Sequence, residues 1–228
     1  LDDFKLRASY GSIGNQNIGA YGTEAKEAIT SVEMYCPESD NFITLAAEHC
    51  AFGYRESVFK QTLKGRVIIT AVTFRLSKIA KPKLDYGDVC REVESRGGAT
   101  LRNIREAICS IRRTKLPDPA VTGNAGSFFK NPIVERATAE ALLAEYPDMP
   151  HYPAAEEGKV KLAAGWLIDQ AGMKGYRTGN VGVHDRQALV LVNHGGATGG
   201  EVMSLAHHVQ QCVAEKFGVE IEAEVNVL

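Results

Sequence analysis

GEVMSLAHHVQQCVAEKFGVEIEAEVNV (residues 200–227) carries two periodicities back to back. From Gly200 to Lys216, the residues Val202, Leu205, Val209, Val213 and Phe217 recur at helical spacing and form one apolar stripe. Gly218 suits the end of that helix. From Val219 to Val227 the period changes to that of a strand. Val219, Ile221, Ala223 and Val225 fall on one side, and Glu220, Glu222, Glu224 and Asn226 on the other. An amphipathic helix running straight into a half-buried strand predicts an α+β fold.

Outward from that stretch the same reading continues. Ala188–Val192 is a buried strand, and Leu162–Gln170 is a helix with Gly172 placed for its C-terminal cap. Ala137–Glu145 is a shorter helix. Thr100 can cap a helix whose apolar positions are Leu101, Ile104, Ile108 and Ile111, and which stops before Pro117. Upstream of Arg96-Gly97-Gly98 the texture is different. Residues 28–76 are rich in β-branched and apolar residues, Val67–Phe74 above all, with a turn cluster at Pro37–Asn41. This places a domain boundary at 98/99. Residues 1–98 form one part, 99–218 a second, and 219–228 a final strand that returns toward the first. There is no internal repeat.

The 26 Lys and Arg against 28 Asp and Glu leave a net charge of −2, so no basic field exists to hold a nucleic-acid backbone. A small anionic ligand needs only a local cluster of cations. No apolar run approaches the roughly 20 residues that span a bilayer. The first residues lack the basic region and apolar core of a signal peptide. The five cysteines are scattered without a C-x-x-C pair, as expected for reduced thiols in a cytoplasmic protein without a disulfide framework or zinc site.

Few segments have the residue types that chemistry needs. Gly123–Pro132 (GNAGSFFKNP) sets a hydroxyl, two aromatics, a cation and an amide behind two glycines. It reads either as a glycine-rich turn into a strand, with Ser127 merely polar, or as a site. No G-x-S-x-G elbow surrounds Ser127, so proton donation suits it better than nucleophilic attack. Arg112, Arg113 and Lys115 end a helix, where they either balance its dipole or clamp a diphosphate. Cys50–Lys60 gathers aromatics around Arg55, which is otherwise a surface cation. Glu224 lies on a polar strand face that solvent alone would explain. Gln16–Gly22 is a small-residue loop with one aromatic. His207 and His208 have no ligand spacing and read as surface residues.

Taken in order, QNIGAYG (16–22), CAFGYRESVFK (50–60), LDYGD (84–88), RRTKLPDP (112–119), GNAGSFFKNP (123–132), KLAAGWLIDQAGMKGYRTGNVGVHDRQALVLVN (161–193) and FGVEIEAEV (217–225) resemble the UDP-N-acetylenolpyruvoylglucosamine reductase family. The resemblance covers roughly residues 16–228. It implies that 1–98 is the remnant of a flavin-binding domain of the vanillyl-alcohol-oxidase-like FAD fold, and that 99–218 is an α+β domain for a UDP-sugar. It implies FAD as cofactor, NADPH as reductant, and reduction of UDP-N-acetylglucosamine enolpyruvate to UDP-N-acetylmuramate in the cytoplasm by a monomer. Ser127 falls on the proton donor, with Arg55 and Glu224 on the enolate-stabilising pair. Tyr86 matches the substrate-capping tyrosine of the subclass with that loop. Lys115, Arg112, Asn131, Gln187 and Tyr54 fall on substrate-binding positions, and Ile18, Gly19, Tyr21 and Gly22 on the flavin-facing loop.

The amino-terminal residues depart from the family. The G-x-G-S-N phosphate loop of its FAD subdomain is not found here, and residues 1–19 instead resemble a segment of TonB-dependent outer-membrane receptors. The departure implies weak FAD binding. It opens the alternatives of a truncated or chimeric chain that only binds a UDP-sugar, or of another FAD-linked oxidoreductase.

Overall fold

The computed structural model describes residues 3–6, 25–77, 79, 82, 84, 88–225 and 227. The chain divides into two compact units, Leu1–Ile111 and Arg112–Leu228.

The first unit holds β1 (Asp3–Leu6), β2 (Ile29–Cys36), β3 (Asn41–Ala46) and β4 (Ile68–Arg75) in one antiparallel sheet of order β1-β4-β2-β3. The expected turn at Pro37–Asn41 closes the β2–β3 hairpin, with Cys36 opposite Asn41. Asp40 takes the left-handed conformation there (φ 51°), which an Asp tolerates better than most residues. Its carboxylate accepts a 2.7 Å hydrogen bond from the Tyr35 hydroxyl. Val32, Met34, Ala71 and Phe74 of this sheet are buried.

Two helices follow, α1 (Val89–Glu94) and α2 (Leu101–Lys115). Val89 and Val93 of α1 pack on Ile104 and Ala107 of α2, with Ile108 and Ile111 alongside. Thr100 caps α2 as expected, its Oγ1 accepting from the Asn103 amide at 3.1 Å. Leu101 is 70% exposed, so the buried stripe starts one turn later than the periodicity suggests. The α1–α2 contact carries most of α2 into the first unit. The units therefore divide between Ile111 and Arg112, inside α2, where the composition change pointed to 98/99.

The second unit contains β5 (Gly123–Ser127), β6 (Ile133–Glu135), α3 (Arg136–Glu145), β7 (His151–Pro153), β8 (Lys159–Leu162), α4 (Ala164–Gln170), β9 (Arg177–Thr178), β10 (Val181–Val183), β11 (Val190–Asn193) and α5 (Gly199–Phe217). One sheet has the order β5-β11-β10-β9 and the other β6-β8-β7. Leu162, Leu167, Ile168, Val209 and Val213 are fully buried in one continuous core. Tyr146, Trp166 and Phe217 meet pairwise there, with ring centroids 5.3–5.9 Å apart.

The helix ends explain why these elements stop where they do. Gly172 (φ 77°) follows α4 in a Schellman arrangement: its amide bonds Asp169 O and the Met173 amide bonds Ile168 O. Gly218 (φ 63°) ends α5. At the start of α5, Thr198 Oγ1 accepts from the Glu201 amide, and Glu201 Oε2 accepts from the Thr198 amide at 2.7 Å. This capping box satisfies two end groups reciprocally.

The closing segment departs from the expected strand. Val219 and Ile221 are each 2% exposed, but Ala223 is exposed, and pairing is limited to one isolated bridge between Phe129 and Ala223. The inward side of the alternation is buried at Val219 and Ile221, exposed at Ala223 and only partly packed on the core at Val225. The partner of this segment is Phe128–Lys130, within the second unit.

The hydrogen bonds from Thr198, the backbone one first, hold the Glu201 carboxyl below the usual carboxylate range. A depressed carboxyl stabilises the fold above its unfolded value, near about 4.3, and that contribution is lost as pH falls through the depressed value. Glu201→Gln should remove this acid-limb dependence, as read by urea titrations between neutral and strongly acid pH. Thr198→Ala should cost about 0.5–2 kcal/mol at neutral pH. An unchanged midpoint in Thr198→Ala would show that the box contributes nothing.

Candidate active site

The strand that carries Ser127 begins with a kink. Asn124 Oδ1 accepts from the Gly126 amide at 3.0 Å, and Asn124 Nδ2 donates to Thr122 O at 2.8 Å. Gly126 then sits at φ 74°, where a side chain would be strained. The β5–β11 register shifts opposite this point, and Ser127 is left facing Val190 with its side chain exposed. The glycine-rich stretch is thus itself an edge strand, not a turn leading into one. Its pairing with the buried β11 overrides the poor strand propensity of glycine.

Phe128, the next residue, is bonded on both sides. Its amide donates to Leu189 O and its carbonyl accepts from the Glu224 amide, each at 2.7 Å. The Lys130 amide donates to Glu222 O at 3.0 Å. These bonds bring the Ser127 strand, the Gln187–Val190 turn and the Glu222–Glu224 segment together. Gln187 closes its turn twice, its carbonyl accepting from the Val190 amide at 3.0 Å and its Oε1 from the Leu189 amide at 3.4 Å.

Asn131 has a structural task in the same place. Its Oδ1 accepts from the Ala164 amide at 2.9 Å, capping α4 from outside, because Ala163 at the N-cap position offers no side-chain oxygen. Lys130 is paired with Glu222 at 2.5 Å.

Arg112, Arg113 and Lys115 lie in the last turn of α2, and all three are exposed. Arg186 adds a fourth cation, its Nη1 donating to Thr114 O at 3.0 Å. Sequence reading did not single out Arg186 or Lys130. Both lie inside quoted motifs, but nothing in their spacing reveals a partner 72 or 92 residues away.

Arg55 and Tyr54 belong to the first unit. Their loop is closed by the Val58 amide to Cys50 O at 3.0 Å and the Gly53 amide to Glu56 O at 2.9 Å. Lys60 Nζ donates to Arg55 O at 2.9 Å. Arg55 itself adopts φ 57°, a conformation that costs a non-glycine residue about 1 kcal/mol or more and persists only where surroundings impose it. Cys50 is buried, which pushes its thiol up. Tyr86, Ile18, Gly19, Tyr21 and Gly22 lie outside the described residues. Among the described residues no group of three or more His, Cys, Asp or Glu is placed to hold a metal ion. No described helix is long and apolar enough to cross a membrane.

Residues 118–228 match the family model described as UDP-N-acetylenolpyruvoylglucosamine reductase, C-terminal domain. The chain belongs to this reductase family. It is 55% identical over 218 residues to the UDP-N-acetylenolpyruvoylglucosamine reductase of Chromobacterium violaceum, a match covering 93% of this chain and 63% of that protein. To the reductase of Burkholderia cenocepacia it is 52% identical over 226 residues, covering 96% and 64%. The crystal structure of the reductase from Thermus caldophilus matches with a TM-score of 0.56 at 25% identity, covering 92% of this chain and 57% of that one. The chain thus spans less than two thirds of the length of each of these relatives. The α+β architecture agrees with the reductase structure.

The cap on α4 yields a test of Asn131 that is independent of any ligand. Asn131→Ala should lower stability by about 0.5–2 kcal/mol, the usual cost of losing an N-terminal cap, whereas Asn131→Asp keeps an acceptor and should cost less. Urea denaturation of the two variants decides it. Equal midpoints for alanine and wild type would remove Asn131 from the architecture of the site.

Proposed function

We propose that the protein reduces the enolpyruvyl double bond of UDP-N-acetylglucosamine enolpyruvate, giving UDP-N-acetylmuramate, a step of peptidoglycan precursor synthesis in the cytoplasm. The observation that supports this reading best is the backbone of Phe128, which brings the Ser127 strand and the Glu224 segment side by side. FAD is proposed on the resemblance and on the relatives' name, since the residues assigned to it lie outside the described ones. When bound, it would supply the hydride that it receives from NADPH.

The chain's own residues supply the rest. Hydride addition at C3 would leave an enolate at C2, and a serine hydroxyl at the exposed end of β5 can deliver the proton that neutralises it. The enolate needs a fixed cation and an acid beside its carboxylate. Arg55 and Glu224 are assigned those roles, and the strained backbone at Arg55 fits a residue held for a purpose. Arg112 and Lys115 are assigned to the diphosphate, where exposed cations at a helix end can gather phosphate oxygens. Gln187, Asn131 and Tyr54 are assigned to substrate binding, and Tyr86, by resemblance, to capping the substrate.

Two measurements test this. Calorimetry with UDP-N-acetylglucosamine should show binding that Lys115→Ala weakens by about tenfold or more, the scale of one charge-assisted contact. No heat with the wild-type chain would refute the substrate class. In stopped-flow with FAD supplied, Ser127→Ala should leave reduction by NADPH intact and slow reoxidation by the enolpyruvyl substrate by about 10²–10⁴-fold. Equal slowing of both phases would remove Ser127 as proton donor. Sugar binding with no flavin absorbance in the protein would make the chain a UDP-sugar binding module alone.

A further inference from the structure

We infer that Gln210 and Lys130 are positioning residues that set where Glu224 sits relative to Ser127; the inference rests on the proposed role of Glu224.

After Gly218 full burial among the described residues ends at Ile221, and Val225 packs only partly against the core. Val219 and Ile221 are each 2% exposed, but Ala223 is exposed and Val225 only half-buried. Val225 still touches the edge of the core, but Glu222 and Ala223 are exposed, so hydrogen bonds contribute much of what holds the three residues that end on Glu224. Two of these are backbone bonds, Lys130 N to Glu222 O and Glu224 N to Phe128 O. Two more contacts come from side chains outside the proposed catalytic set. Gln210 Nε2, from α5, donates to Ile221 O at 2.7 Å. Lys130 Nζ pairs with Glu222 Oε2 at 2.5 Å.

The two side chains do different jobs. Glu220, Glu222 and Glu224 are three carboxylates at strand spacing, and by charge alone Lys130 would accept any of them. A two-residue slip would put Glu224 opposite Lys130, pull Ile221 out of the core and move the proposed acid away from Phe128. Burial of Ile221 opposes the slip, and the Gln210 bond fixes the Ile221 carbonyl to a helix capped at both ends. Lys130 then holds Glu222 within the register so selected. Glu222 is 70% exposed at its side chain and Lys130 24%, so the pair adds little to global stability. Its effect is local order.

Amide hydrogen exchange on the full chain reads that order directly, because the Glu224 amide is itself the donor to Phe128 O. Gln210→Met keeps the length of the side chain and removes the donor, and should speed exchange at Glu224 about tenfold. Lys130→Met and Glu222→Gln should each speed it several-fold, and Lys130→Arg should stay near wild type. Amides from Leu205 to Val213 should keep their protection, which shows that α5 is intact. Wild-type exchange at Glu224 in Gln210→Met, Lys130→Met and Glu222→Gln would overturn the inference, and Glu222→Gln, on the surface, will fold whatever the others do. With FAD and NADPH supplied, the same variants should lower kcat for the enolpyruvyl substrate more than they raise KM. If exchange quickens while Glu224→Gln turns over like wild type, the clamp stands and the enolate role of Glu224 falls.

Discussion

The backbone of Phe128 gives and receives a hydrogen bond at once, to Leu189 on one side and from Glu224 on the other. That residue extends the β5–β11 pairing to Leu189 on one side and carries the closing segment on the other. Phe128 and Phe129 are both buried, with their rings 5.2 Å apart, so the segment cannot move without opening the core. The exposed Ser127 is thus mounted on one of the least movable parts of the second unit. The proton-donor role proposed for Ser127 requires such geometry to be set before substrate arrives.

Around this point the fold uses polar side chains as structural members. Asn131 caps a helix from another segment, Gln187 closes its own turn, Asn124 braces the kink at Gly126, and Arg186 bonds the C-terminal end of α2. Residues proposed for the site therefore also serve the scaffold. A substitution at Asn131 or Gln187 acts on the architecture before it acts on any ligand, and loss of activity at such positions is evidence of a chemical role only alongside a stability measurement.

In the first unit the notable constraint is conformational. Ala51 and Arg55 both occupy the left-handed region within a loop closed by backbone bonds. The same φ angles in glycine would be unremarkable. In Ala51 and Arg55 they carry a cost that the bonds at Cys50, Gly53 and Lys60 offset.

The sequence by itself determined the elements that have strong local periods: α2, α3, α4 and α5, the β2–β3 hairpin and the buried β11, together with the caps at Thr100, Gly172 and Gly218. Each follows from contacts within a few residues, where side-chain spacing and end groups dominate. Its motifs also fixed the family. Tertiary structure decided the rest. It made a strand of Gly123–Ser127, because a buried neighbour supplies the hydrogen bonds that glycine cannot specify. It left the closing segment with an isolated bridge at Ala223 in place of a strand ladder, because its partner is the short Phe128–Lys130 stretch and not a sheet strand. It moved the division of the chain into α2, because Val89 and Val93 hold Ile104 and Ala107. And it paired Lys130 with Glu222 and Asn131 with Ala164, contacts 92 and 33 residues apart in the chain that no local pattern encodes.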